Sequence, residues 1–249
     1  MQLGGTSIET WIPAGGFRIA KRRLQTPDHG IIVADCLVPK WENAQLSPVR
    51  PCELQPCLHR VFADTAPDPS AFVNLANVYG LLATPVMRQP APGETVPSNL
   101  LAPEPIDAWH ALVRELHICA ELWEMIRLGH GSLSAMAANG ARLSAKLGEN
   151  LGRLKFSASA RYVDNGVGHF QLRYRSSTLA GALWQRLAEE VSGVICCMRC
   201  PAPRCGQWFL IDDATRNDKR YCSGACRSRI FRQKLKTEEC PGVSPGIYY

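Results

Sequence analysis

Apolar and polar positions along the chain follow two periods, and each marks a different kind of element. From Ile106 onward, Trp109, Val113, Leu116, Ala120 and Trp123 recur at three and four, which lays one apolar stripe along a helix from 105 to 128. A shorter helix is predicted ahead of it. Asp68 stands as N-cap, Pro69 at the first helical position, Phe72, Leu75, Ala76 and Tyr79 on one face, and Gly80 as the stop. A third helix, from Thr178 to Val191, carries Leu179, Leu183, Leu187 and Val191 and ends before Gly193. Strict alternation takes over between the second and third: Leu154, Phe156, Ala158, Ala160 and Tyr162 oppose Lys155, Ser157, Ser159 and Arg161. After the Asp164-Asn165-Gly166 turn, Phe170, Leu172 and Tyr174 resume the pattern, so residues 153–175 are predicted as an antiparallel hairpin.

The other stretches carry weaker signals. Residues 1–60, rich in Pro and Gly, read as strands and loops, with Gly30-Ile31-Ile32-Val33-Ala34 the clearest apolar run. The proline-rich stretch 84–105 reads as an exposed connection, and the small residues of 132–150 as a loop with a short helix. Val194 to Met198 forms a short strand leading into a cysteine-rich segment. The expected fold class is α+β. A mixed helix and antiparallel-hairpin domain covers 1–198, a small treble-clef-like zinc module covers 199–236, and a flexible tail covers 237–249.

Composition changes this picture in one respect. Apolar residues at 46% and charged residues at 20% are ordinary for a globular chain, but its net charge of +6 is unevenly spread. Residues 199–236 hold ten Lys or Arg against Asp212, Asp213 and Asp218, a surplus of +7, whereas residues 1–198 stand near neutrality. So basic a module points to a phosphate-bearing partner. The chain opens without a secretory pattern and holds no apolar run of membrane-spanning length, so its eleven cysteines are expected in a reducing cytoplasm.

Four of those cysteines carry the chemistry. Cys200 and Cys205 are separated by four residues, and Cys222 and Cys226 by three, with sixteen between the pairs. Two short clips of thiolates at such spacing suit one tetrahedral Zn²⁺. Pro201 and Pro203 stiffen the first turn, Gly206 permits the backbone angle a knuckle needs, Trp208 to Ile211 reads as a strand, and Ser223 as the N-cap of a helix carrying Cys226. Cys196-x3-Cys200 offers a rival register, but Cys196 and Cys197 lie in an apolar strand. Cys52, Cys57 and His59 have ligand-type side chains without an obvious fourth, and read as a loop before a metal site. His110 and His117 share one face of the long helix and read as solvated or core-edge residues.

A site closed by four thiolates leaves no position for water or substrate, so the zinc is expected to be structural. No histidine follows His169, and no nucleophile elbow, Walker loop or dinucleotide fingerprint occurs elsewhere. No catalytic residue is assigned, and the chain is not read as an enzyme. On the helix after Cys226, Arg229, Arg232 and Lys236 fall within a sector of about 60°, a ridge for DNA phosphates that Arg216, Lys219 and Arg220 extend. Arg227, on another face with Lys234, is placed with Ser228 and Gln233 to meet base edges.

These residues carry a family resemblance. Cys200-x4-Cys205 with Gly206, the Trp208-Phe209 strand, the basic loop and Tyr221-Cys222-Ser223-x-x-Cys226 resemble the bacterial CGNR-type zinc finger. That finger is the C-terminal module of proteins described as stress-induced transcription regulators. Ala71-Phe72-Val73-Asn74 with Tyr79-Gly80-Leu81-Leu82 resembles the short N-terminal motif of such proteins. Where the name-giving motif reads Cys-Gly-Asn-Arg, this chain has Cys226-Arg227-Ser228-Arg229. The resemblance implies a cytoplasmic bacterial protein that binds DNA and regulates transcription, its first domain sensing a small molecule or protein, or assembling. A module that docks on an acidic protein without touching DNA is the alternative.

Overall fold

In the computed structural model the described residues are 8–28, 30–41, 44–83, 101–152, 155–162, 168–211 and 219–238, with backbone only over 155–175 and 234–238. Strands β1 (Thr10–Pro13), β2 (Phe17–Gln25), β3 (Ile31–Pro39) and β4 (Leu46–Val49) come first, followed by two short helices, α1 (Pro51–Leu54) and α2 (Leu58–Ala63). Helix α3 (Pro69–Tyr79), strand β5 (Glu104–Pro105), helices α4 (Ile106–Arg127) and α5 (Leu133–Leu151), strands β6 (Lys155–Tyr162) and β7 (Gly168–Arg175), and helix α6 (Leu179–Val191) complete a first compact unit, Met1–Val194. The second unit, Ile195–Tyr249, holds β8 (Cys196–Arg199), β9 (Trp208–Ile211) and α7 (Gly224–Glu238). The α+β expectation holds: helices combine with sheets whose pairings are all antiparallel among the described residues.

Helices α3, α4 and α6 begin and end within a residue or two of the positions their periodicity and caps predict. Thr178 Oγ1 accepts from the Gly181 N–H, 3.1 Å away, and so caps α6. Gly80 ends α3 at φ +82°, and a Cβ there would stand 2.7 Å from the Thr10 side chain. Its absence lets Thr10 Oγ1 donate to the Tyr79 carbonyl at 2.6 Å, tying β1 to the end of α3. Strands β6 and β7 pair from Lys155 opposite Arg175 to Tyr162 opposite Gly168. The Asp164-Asn165-Gly166 turn lies outside the described residues, as does most of the 84–105 connection.

Residues 132–150 correct the sequence reading. They form a long helix, α5, rather than a loop with a short one. Ser132 Oγ caps it by accepting from the Ala135 N–H at 3.2 Å, buried Leu143 and half-buried Leu147 and Leu151 join the core, and Lys146 pairs with Glu115 of α4 at 2.6 Å. Its sparse apolar stripe and its two interior glycines, Gly140 and Gly148, weaken the periodic signal, while packing against α4 supplies what propensity does not.

The core of the first unit centres on Trp109, which stands 6.0 Å from Phe62 and 5.9 Å from Phe72 between ring centroids. Around these pack Phe17, Leu37, Leu58, Leu116, Leu179, Leu183 and Leu187, all fully buried. The indole Nε1 donates to Glu104 Oε2 at 2.7 Å, and the same carboxylate accepts from the Leu82 and Ala83 N–H groups. Burial pushes the Glu104 carboxyl above its usual range despite those three donors.

A second buried carboxylate joins three helices. Glu190 of α6 accepts from Arg60 Nε at 2.8 Å and Arg60 Nη2 at 2.6 Å, and lies 2.6 Å from His59 Nε2. Arg60 also reaches Glu124 of α4 at 2.9 Å. His59 is 1% exposed and Arg60 2%, so neither side chain is shared with water. Burial holds the His59 imidazole below its ordinary value of 6.5, although Glu190 pulls the other way. The Glu190 carboxyl is lowered: burial would raise it, but the donors on His59 and Arg60 prevail.

Both lowered values act in the same direction. As pH falls through about 6.5, the unfolded chain takes up the His59 proton before the folded chain does, so stability is lost on acidification, and Glu190 adds to the loss at lower pH. The urea midpoint of the helical signal should therefore fall between about pH 7 and 5, and His59→Gln, which keeps an N–H donor that cannot titrate, should flatten that fall. Glu190→Ala should cost about 3–5 kcal/mol at neutral pH by taking from buried Arg60 one of its two carboxylates, as measured by urea unfolding.

Candidate metal centre

Among the described residues the second unit has a small apolar core. Cys200, Ala202, Phe209 and Cys226 are its buried cluster, with Met198, Tyr221 and Ile230 packed partly against them. Strands β8 and β9 pair antiparallel from Cys196 opposite Ile211 to Arg199 opposite Trp208, and the turn between them carries Cys200 and Cys205. Backbone hydrogen bonds shape this turn: Cys200 N–H donates to the Gln207 carbonyl at 2.9 Å, and Cys205 N–H to that of Ala202 at 3.0 Å. Gly206 adopts φ +59°, as the knuckle requires, and Arg204 joins it in the left-handed region at +61°. Ser223 Oγ accepts from the Cys226 N–H at 3.3 Å at the start of α7, which turns Cys226 inward from the first helical turn.

The knuckle and the helix bring four sulfurs together. Those of Cys200, Cys205, Cys222 and Cys226 all lie within 4.8 Å of one another, with Cys205 and Cys222 at 3.5 Å and Cys222 and Cys226 at 3.6 Å. A tetrahedral ion bound by thiolates at about 2.3 Å sets its sulfurs about 3.8 Å apart, so the set fits one such ion with little movement. The rival register is disfavoured, because Cys196 is exposed and stands outside this group. Cys52, Cys57 and His59 form no such group among the described residues. They lie on or beside α1 and α2, and His59 is committed to Glu190.

Acid–base behaviour within the cluster is strongly divided. Burial would raise Cys200, but backbone hydrogen bonds of Cys222 and Ala202 and the thiols of Cys222 and Cys205 bring it down to about 7. Burial and the thiols of Cys205, Cys226 and Cys200 push Cys222 up to about 12. Thiols this close cannot all ionise by themselves, and a divalent cation resolves the conflict by taking the place of the protons. Metal uptake thereby releases protons and weakens in acid.

The basic residues assigned to nucleic acid separate into different roles. Arg227, Arg229 and Arg232 are exposed on α7, but Arg229 Nη1 donates to the Pro203 carbonyl at 2.9 Å, bracing the helix against the knuckle, and Arg232 Nε donates to the Ser228 carbonyl at 3.3 Å. Lys219 Nζ turns back to the Leu210 carbonyl at 3.3 Å and lies 5.4 Å from the centre of the Phe209 ring, so it holds β9 rather than facing outward. Arg220 is exposed; Arg216 and the Lys236 side chain lie outside the described residues. Two contributors escape the spacing argument. Arg199 Nε donates to the Gly206 carbonyl at 3.2 Å across the knuckle, and Phe231 stands 62% exposed amid the cations of α7. An apolar residue interrupting a basic helix is the one signal that singles out Phe231.

Chelation should strip the metal and unfold the second unit while the helicity of α4, α5 and α6 persists, since the core around Trp109 contains none of the four ligands. Cys226→Ser should abolish metal retention, whereas Cys196→Ser should leave it at the parent level. Elemental analysis alongside circular dichroism distinguishes these outcomes.

No protein-family model matches the chain, and no curated protein is significantly similar to it.

Proposed function

We propose that residues 195–238 form a structural zinc module of the CGNR type that binds DNA, and that the protein regulates transcription. The cluster of four sulfurs carries this reading: an all-thiolate tetrahedral set favours zinc over harder cations, and four protein ligands leave no open position for catalysis. Cys200, Cys205, Cys222 and Cys226 would hold the ion, whose positive charge supplies the cohesion that the apolar core lacks. Helix α7 then projects Arg227 and Arg232 from a fixed base, with Arg229 bracing it through Pro203. Long cations on one small module suit phosphates, and the +7 surplus of residues 199–236 draws it to a polyanion. A protein-docking role is favoured by one observation, the exposed Phe231, since aromatic side chains concentrate at protein interfaces.

Duplex binding measured at several salt concentrations separates the two readings. If Arg227 and Arg232 each neutralise one phosphate, replacing both by Ala should flatten the log–log salt dependence by about 1.8, from about 0.9 per contact, with zinc content unchanged. Phe231→Ala should leave that slope intact. Retention of zinc without duplex binding by the parent would reject the DNA reading and favour protein docking.

A further inference from the structure

The hairpin of β2 and β3 is longer than the fold uses. Its base is covered, since Phe17 and Leu37 are fully buried and β5 pairs with β3 at Cys36 and Leu37. Beyond Cys36 the ribbon runs on, from Lys21 opposite Asp35 to Gln25 opposite Ile31, and none of its side chains is buried. Among the described residues, β3 has no partner over 31–35 on the side where β5 pairs further along.

The two strands of this ribbon differ in chemistry. The open stretch of β3 reads Ile31-Ile32-Val33-Ala34-Asp35, and its three β-branched residues are 71%, 49% and 65% exposed. Apolar and mostly β-branched over 31–34, with Asp35 its one charge, and free of Pro and Lys, it carries few of the devices that blunt an edge strand against pairing. The corresponding stretch of β2, which is the outer strand of the three-stranded sheet, begins with Lys21, Arg22 and Arg23, and consecutive cations are such a device. One edge thus invites a strand, and the other repels one.

We propose that the β3 edge over Ile31–Asp35 pairs antiparallel with the same edge of a second copy of the chain, giving a twofold dimer with a continuous sheet in the order β2-β3-β3-β2. The edge is self-complementary. The pairing that uses its whole length opposes Val33 to Val33, Ile32 to Ala34 and Ile31 to Asp35, so the two Asp35 carboxylates lie at opposite ends and no like charges meet. Lys21, Arg22 and Arg23 line both outer edges of the joined sheet, and assembly stops at two copies.

Sedimentation velocity of the zinc-loaded full chain over a wide concentration range tests this. A concentration-dependent monomer–dimer equilibrium is expected. Val33→Lys, at an exposed position, should weaken it at least tenfold by setting two cations against each other on the dimer axis, while circular dichroism stays at the parent level. Replacing Lys21, Arg22 and Arg23 together by Thr should allow assemblies larger than the dimer. A parent monomeric at all concentrations, or an association that Val33→Lys leaves unchanged, would overturn the proposal.

Discussion

Taking the Glu190 carboxylate out of water is the constraint around which the helical part of the first unit is arranged. An ionised carboxylate in an apolar interior is tolerated only when charge and hydrogen bonds are returned to it in good geometry, and Arg60 and His59 return both. Because Arg60 also reaches Glu124, the same pair fixes α2 against α4 as well as α6. Apolar surfaces can slide past one another at small cost. A guanidinium clasping two carboxylates cannot, so this network sets the relative positions of three helices whose cohesion comes from the apolar core around Trp109.

The second unit solves the same problem with other means. The four residues of its buried apolar cluster give little hydrophobic stabilisation, and two of them belong to the group of four cysteines that could hold a metal ion. Four thiols within 4.8 Å of one another could hold a metal ion that would take the place of their protons. The backbone turns, the Ser223 cap and the Arg229–Pro203 brace hold the sulfurs near the required separations.

How much of this the sequence reveals depends on how far apart the interacting groups lie along the chain. Caps and stripes made α3, α4 and α6 legible, because each helix states its limits within its own residues. The cysteine pairs were legible for the same reason, being two local clips whose spacing is itself the chemistry. Helix α5 was obscured by alanine and glycine, since its formation depends on α4 beside it. His59 read as part of a loop, because its partner, Glu190, lies 131 residues away. No local pattern discloses such a pairing. Lys219 and Arg229 counted as surface cations by charge alone, whereas their carbonyl partners on β9 and the knuckle are set by the fold.

Glu104 has a consequence for how the chain can vary. It binds the N–H groups of Leu82 and Ala83 while receiving the Trp109 indole, so the two ends of the intervening stretch meet at a single side chain. The core therefore registers where that stretch leaves and returns. An insertion between Ala83 and Leu101 would leave intact the residues that make the contacts among Leu82, Glu104 and Trp109, which makes this interval a natural place to graft a foreign segment.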